Sequence, residues 1–359
     1  MPLTTIKGTN MGAIITNTQL GTSGTASSAN VLPGTFAWTG ATRSGLTNFA
    51  ASDPASPNAG DVWYIAGQVK IALNTLPLGI GAWSSAAPTT LARRYAASCG
   101  TQTAHLAMGG LASPGISNIT EEYNGTFWQS ASNHLTTIRH FTACGTQSAA
   151  LSISGEQASS NSVVCHEYDG TSWTVGGSIS SARTSAGSAG TQTAGLTWCG
   201  IGGTGSNLCQ EYDGSSWSAS GNYIVSSYDS QGGGTQTAAF GVGGMVSSST
   251  VNNTGEYDGT TWSAGGNSNY AISEHSGGGI QTAGLRASGY TSSPSAATNT
   301  SEEYNGSTWT TSNNLSTTRR TANTGAGSMG LGLCCNGYIS NFSSVSEEYT
   351  KPQIQYYNV

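Results

Sequence analysis

Glu211-Tyr212-Asp213-Gly214-Ser215-Ser216-Trp217 is a phrase that this chain writes five times. The other copies are Glu122-Tyr123-Asn124-Gly125 leading to Trp128, Glu167-Tyr168-Asp169-Gly170 to Trp173, Glu256-Tyr257-Asp258-Gly259 to Trp262, and Glu303-Tyr304-Asn305-Gly306 to Trp309. With Trp83 included, these tryptophans are separated by 45, 45, 44, 45 and 47 residues. A period of that length belongs to propellers and solenoids. Asn-Gly or Asp-Gly between aromatic and apolar segments is a strong hairpin signal, because a type I′ turn needs positive φ at both central residues.

A second phrase alternates with the first: Gly100-Thr101-Gln102-Thr103-Ala104, then Gly145-Thr146-Gln147, Gly190-Thr191-Gln192 and Gly234-Thr235-Gln236. It weakens to Gly279-Ile280-Gln281 and then to Gly325-Ala326-Gly327-Ser328-Met329. Two turns per period divide each repeat into four short strands. The first precedes Gly-Thr-Gln and the second follows it; the third ends in Glu-Tyr and the fourth carries the Trp. Four antiparallel strands in about 45 residues make one propeller blade. The expected fold is all-β, a six-bladed β-propeller of four-stranded blades. Six Glu-Tyr ends occur, the last at Glu348-Tyr349 with no Trp after it, while Trp83 has no Glu-Tyr before it. The strand around Ala82-Trp83-Ser84 therefore completes the last blade and closes the ring. A rival closure uses a Val62–Leu73 hairpin with a strand over 354–359 as an irregular seventh blade.

Residues 1–78 do not follow the repeat. Pro54, Pro57, Asn58 and Gly60 mark a linker, and Trp63 to Ile71 reads as a hairpin around Ala66-Gly67. The expected organisation is a β-rich anchoring or docking segment (1–78), the propeller (79–350) and a C-terminal tail (351–359). A strand-rich cap over the propeller edge is the other reading of 1–78.

Only 8% of the 359 residues are charged, against roughly 25% in ordinary globular proteins. Regularly placed Trp, Tyr and Leu argue against the disorder that low charge often accompanies. A net charge of −6 and three lysines, Lys7, Lys70 and Lys351, argue against a nucleic-acid partner, which needs a basic footprint. No apolar run approaches the ~20 residues of a membrane span. The first twenty residues lack the basic start and apolar stretch of a secretory signal. This predicts synthesis in the cytosol, with export, if any, by a route such as packaging in a virus particle. The seven cysteines follow the repeat: Cys99 with Cys144, Cys165 with Cys209, Cys199 with Cys334. They read as small buried hydrophobes rather than metal ligands, and no metal or cofactor is expected.

The combination of Gly-Thr-Gln-Thr-Ala, Gly-Gly and Glu-Tyr-Asp-Gly-x-x-Trp in residues 190–217 resembles the kelch-type propeller repeat. More narrowly it resembles variants in structural proteins of marine bacteriophages. The resemblance covers roughly residues 80–350 and departs at both ends. It implies a virion surface protein, a tail or capsid fibre, whose partners are other virion proteins (through residues 1–78) and a host-surface glycan or receptor. Such fibres are commonly homo-oligomers, although no coiled coil here enforces one. Kelch propellers serve as binding platforms, oxidases and virion parts alike, so function must be read from the site.

Specific binding is expected where the blades differ. In an up-and-down blade the two repeated turns share one face, and the remaining connections share the other. On that second face the links between blades carry Arg93-Arg94, Arg139-His140, Arg183 and Arg319-Arg320 in blades 1, 2, 3 and 6. Blades 4 and 5 carry Tyr228-Asp229 and Glu274-His275. A basic crescent facing an acidic remainder follows, and Arg forks suit carboxylate, sulfate or phosphate groups. The candidate ligand-binding residues are Arg93, Arg94, Arg139, Arg183 and Arg319 with the aromatic Tyr95, Tyr228, Tyr290 and Tyr338; Tyr270 and Phe342 are further stacking surfaces. The competing reading pairs these arginines with the repeated glutamates as a structural ring. Six equivalent glutamates do not make an acid/base pair, since a glycosidase needs two carboxylates in unlike environments. The five scattered histidines assign no oxidase ligand set, so a sialidase- or oxidase-type enzyme is weaker than the other two readings, a glycan- or receptor-binding fibre and a purely structural or decorating virion subunit.

Overall fold

The computed structural model describes residues 35–38, 41–44, 62–65, 68–73, 81–158, 160–202, 205–321, 323–328, 330–351 and 355–358. They contain strands and no helix. The chain divides into two compact units, Ile80–Lys351 and Met1–Gly79 together with Pro352–Val359.

The larger unit is a six-bladed β-propeller. Blade 3 shows the pattern: from the axis outward, Gly187–Gly190, Gly195–Trp198, Cys209–Tyr212 and Trp217–Ser220, all antiparallel. Blade 6 is assembled from both ends of the unit. Asn323–Ser328, Leu331–Cys335 and Ser346–Thr350 come from its C-terminal part, and the outermost strand is Ala82–Ala86. That strand pairs Trp83 with Tyr349, the same register that sets Tyr212 against Trp217. The ring therefore closes as the orphan Trp83 requires, with six blades.

The rival seventh blade does not form. Val62–Ile65, Gln68–Leu73 and Gln355–Asn358 do pair with one another, but as a three-stranded sheet of the smaller unit. The expected C-terminal tail thus contributes a strand to the N-terminal unit. A two-stranded hairpin, Thr35–Trp38 with Ala41–Ser44, belongs to that unit too. The linker residues Pro54, Pro57, Asn58 and Gly60 lie outside the described residues.

The repeated phrases build the contacts between blades. Each Glu-Tyr phenol donates to the repeated glutamate of the preceding blade: Tyr168 to Glu122, Tyr212 to Glu167, Tyr257 to Glu211, Tyr304 to Glu256 and Tyr123 to Glu348, at 2.5–2.9 Å. Tyr349 to Glu303 completes the circle. Each indole also reaches backward, as Trp173 does to the Ser132 carbonyl at 3.1 Å and Trp217 to that of Gly177 at 3.0 Å. The repeated glutamine donates to two carbonyls of the preceding blade, Gln192 to Ala150 and Tyr168 for example. Five blades carry this staple.

Gly100 ends the inner strand of blade 1 at φ +109°, where a Cβ would lie 2.3 Å from the Ala104 carbonyl oxygen. Its equivalents are glycine for the same reason. In blade 6 the register differs from the sequence reading. Gly327 pairs with Gly332 and Ser328 with Leu331, so Gly327, not Gly325, holds the Gly100 position. An irregularity between Thr324 and Ala326 shifts the frame. By the same register Cys334 aligns with Thr197 rather than Cys199. All seven cysteines are nonetheless buried and free of disulfides.

If Ala82–Ala86 closes the ring, an Ala82→Cys/Thr350→Cys variant, whose two positions are opposed across the closing pair, should form a disulfide. Oxidation should raise Tm by several degrees, because the bridge constrains almost the whole propeller in the unfolded state. Free thiols at both introduced positions under oxidising conditions would refute the closure.

Candidate functional site

The link that enters each blade ends in three residues with separate tasks. In blades 1 to 6 these are Arg93-Arg94-Tyr95, Ile138-Arg139-His140, Arg183-Thr184-Ser185, Ser227-Tyr228-Asp229, Ile272-Ser273-Glu274 and Arg319-Arg320-Thr321. The last residue of every triplet has left-handed φ, between 49° and 56°. Backbone bonds run around the mouth of the central channel from one to the next: His140 N–H to Tyr95 O at 3.0 Å, Ser185 to His140 at 2.8 Å, Asp229 to Ser185 at 2.8 Å and Thr321 to Glu274 at 2.7 Å. A left-handed non-glycine residue costs about 1–3 kcal/mol. All six blades share it, so the conformation is architectural, and only the residue types differ.

The first residue of each triplet is buried and structural. Arg93 donates to the carbonyls of Ala107, Gly109 and Ile119 and to Glu121 at 2.7 Å, with both side chains fully buried. Arg319 repeats this with the carbonyls of Asn336 and Val345 and with Glu347. Arg183 uses Cys199 O, Leu208 O and the Gln210 amide oxygen. The partner is not the repeated glutamate but the residue before it: Glu121, His166, Gln210, Gly255, Glu302 and Glu347. The two positions change together. Where Ile138 replaces Arg, the partner is His166, its ring 4.5 Å from that of His134. Where Ser227 replaces it, Gly255 leaves room for Tyr223, whose ring would lie 2.6 Å from a Cβ at 255. In blade 5 Ile272 supplies no cation, and Arg286 from the second strand pairs with Glu302 at 2.8 Å instead. Burial alone would raise the Glu302 carboxyl; Arg286, with hydrogen bonds from Ser268 and Asn269, outweighs it and holds the pKa below its usual value. The sequence reading missed Arg286 and Glu302, although this paired variation was visible in it.

Three of the five candidate arginines are therefore corrected. Arg93, Arg183 and Arg319 hold the blades together and offer nothing to a ligand. Arg139 is not their equivalent, because it occupies the second position, alongside Arg94 and Arg320. It is partly exposed and pairs with Glu156 at 2.6 Å. Tyr228 donates to Ser247 O at 2.8 Å, and Tyr270 lies against buried Arg286.

The remaining candidates gather in one place. Around the rim of blades 5, 6, 1 and 2 runs an alternating stack. Arg320 lies over Tyr290 at 5.1 Å and Tyr338 at 5.6 Å; Arg94 lies over Tyr338 at 4.6 Å and Tyr95 at 4.8 Å, with Phe342 at 5.6 Å. Tyr95 stacks on His140 at 3.6 Å. Arg320 is 3.6 Å from Glu274, whereas Arg94 has no carboxylate or side-chain hydrogen-bond partner among the described residues, and its Nε is buried.

Below the rim is a cavity of about 510 Å³ in the channel, lined at its mouth by all six left-handed residues. Part of its wall is narrow. Inner strands of blades 4 and 5 approach through glycines, and a Cβ on Gly233 would meet Gly279 O at 2.6 Å. Burial and the neighbouring Glu274 carboxylate push the Asp229 carboxyl up to about 7, against a hydrogen bond from Ser185. Burial also raises Glu274, with Arg320 and Arg94 opposing, and lowers His140 to about 4. The mouth is thus a mixed surface of guanidinium edges, aromatics and two carboxyls that hold protons readily. The opposite face is uniform: Asp169, Asp213 and Asp258 cap their own turns through the next backbone N–H groups.

No protein-family model matches the chain, and no curated protein matches it either.

Two outcomes separate structural from available groups. Arg93→Ala should cost about 3–5 kcal/mol in urea unfolding, because it strands buried Glu121, while Arg94→Ala should stay within about 1 kcal/mol. Equal losses would contradict the assignment. Asp229 binds its proton more tightly folded than unfolded, where its pKa is about 3.9. Its contribution to stability is full below about pH 4 and is lost as pH rises to about 7. The Tm difference between Asp229→Asn and the parent should therefore grow in the variant's favour across that window. Parallel Tm–pH curves would contradict it.

Proposed function

We propose that this chain is a non-enzymatic binding protein of a virion surface, which presents the loop face of its propeller to a host glycan or receptor. Residues 1–78 would tie it to other structural proteins of the particle. The kelch-like phage resemblance supports the setting. The observation that carries the binding reading is the alternating stack Tyr290–Arg320–Tyr338–Arg94–Tyr95 at the channel mouth. Stacked guanidiniums keep their charge, lose little freedom on binding and present N–H edges in a fixed plane. Aromatic edges and hydroxyls between them suit a ligand with both polar and apolar surface. With only 8% charged residues in the chain, nonspecific ionic adhesion has little to act on, and recognition falls to these few groups.

The test is glycan-array binding of the full chain, followed by titration of the best ligand. Tyr338→Ala should weaken binding at least tenfold with Tm little changed, whereas Phe127→Ala, on the exposed turn face, should not. Absence of any glycan ligand, or indifference to Tyr338→Ala, would overturn the reading in favour of a purely structural subunit. Release of free sugar would overturn its non-enzymatic part.

A further inference from the structure

We infer that the channel mouth takes a sugar acid end-on, with its carboxylate held by the edge of Arg94 and its hydroxyls by Asp229, Glu274 and Thr321. The inference rests on the glycan reading above and narrows it to one ligand class and one orientation.

Four observations converge on it. Arg94 is the rim cation with no carboxylate in ion-pair contact among the described residues: Arg139 has Glu156 and Arg320 has Glu274, while Arg94 lies against aromatic rings and feels Glu274 only at longer range. Its N–H fork has no side-chain acceptor among the described residues, and such a fork matches a planar carboxylate. Second, the cavity wall holds a polar atom with no hydrogen-bond partner among the described residues. Thr321 is 7% exposed, lines the cavity, and its Oγ1 is unpartnered. Buried polar atoms in folded proteins are normally satisfied, so those facing a cavity point to a ligand.

Third, Asp229 and Glu274 of neighbouring blades 4 and 5 line the cavity, and Glu274 lies within the field of Arg94, so a ligand with an anionic end and a hydroxylated body can meet both kinds of group. Asp and Glu bind sugar hydroxyls by accepting from them when ionised and by donating when protonated. Fourth, the cavity of about 510 Å³ is in the range of roughly 300–1,000 Å³ of small-ligand sites. Its lining runs from the six left-handed residues at the rim down to Thr101, Gln102 and Thr103 of the repeated turn. On one side the long hairpin Ala283–Ser292/Ser295–Tyr304 of blade 5 is tied to blade 4 by Thr250 and Ser292, their hydroxyls 3.0 Å apart. A chain-terminal sugar can enter such a channel lengthwise from the rim.

The experiment is saturation-transfer NMR and calorimetric titration of the full chain with glucuronate, galacturonate, glucose and inorganic sulfate. A uronate should bind at least tenfold more tightly than glucose. Arg94→Lys, which keeps the charge but loses the fork, should erase that preference, and Thr321→Val should weaken the uronate severalfold with no change in Tm. Sulfate competing as well as a uronate would overturn the sugar-acid class in favour of any small anion. Glucose binding equal to the uronates, or a uronate preference intact in Arg94→Lys, would overturn this inference and leave the glycan reading standing. Failure of every sugar here and on the array would overturn both.

Discussion

A tyrosine hydroxyl donating to a glutamate of the preceding blade, repeated around all six blades, is the contact on which this propeller depends. A blade of four short strands cannot bury its own faces and is stable only against neighbours. The phenol–carboxylate bond fixes how far each blade turns relative to the last, and the Tyr–Trp ring pair of each blade, centroids 4.9–5.1 Å apart, fills the space beneath it. Closing the circle is then compulsory, because an unclosed end would leave a Tyr and a Glu each without its mate. The chain meets this demand by drawing one strand of blade 6 from Ala82–Ala86.

The same logic removes much of the chain's chemistry from contention. The repeated Glu and Tyr belong to the ring, and the buried pairs Arg93–Glu121, Arg286–Glu302 and Arg319–Glu347 belong to the blades. Desolvating such a pair is costly, and its stabilisation against an apolar substitute is small. In blades 1, 3 and 6 the buried arginine does provide a fixed link from the loop face down into the blade, through the carbonyls that Arg93, Arg183 and Arg319 collect. The loop face therefore has a rigid foundation, and the residues that differ on top of it are held in place. Binding groups on rigid elements lose less freedom when a ligand arrives.

The fold was legible in the sequence because each blade restates the same turn, tyrosine and tryptophan, and the two mismatches at Trp83 and Tyr349 cancel. The register of blade 6 was not, because its inner hairpin lacks both the Gly-Thr-Gln turn and the glutamine. The site was half legible. Arg94, Tyr95, Tyr290 and Tyr338 do come together at the mouth, but Arg93 beside Arg94 and Arg319 beside Arg320 looked like doubled charge. Adjacent residues at a bend point to different places, one into the blade and one over the rim, and a linear reading merges them. Arg139 follows Ile138 and so stands where Arg94 does, one residue on from the position of Arg93. The distinguishing signal lay about thirty residues onward, where Glu121 or Glu347 accompanies a buried Arg and His166 accompanies Ile138.

The repeats build the wheel, and the proposed recognition site is the channel mouth on the loop face. A crystal structure of the protein with a bound glycan ligand tests this most directly. Ligand density is expected between Arg94, Tyr338 and the Asp229–Glu274 wall. Density on the Asp-Gly turn face, or on the outer strands away from the channel, would contradict it.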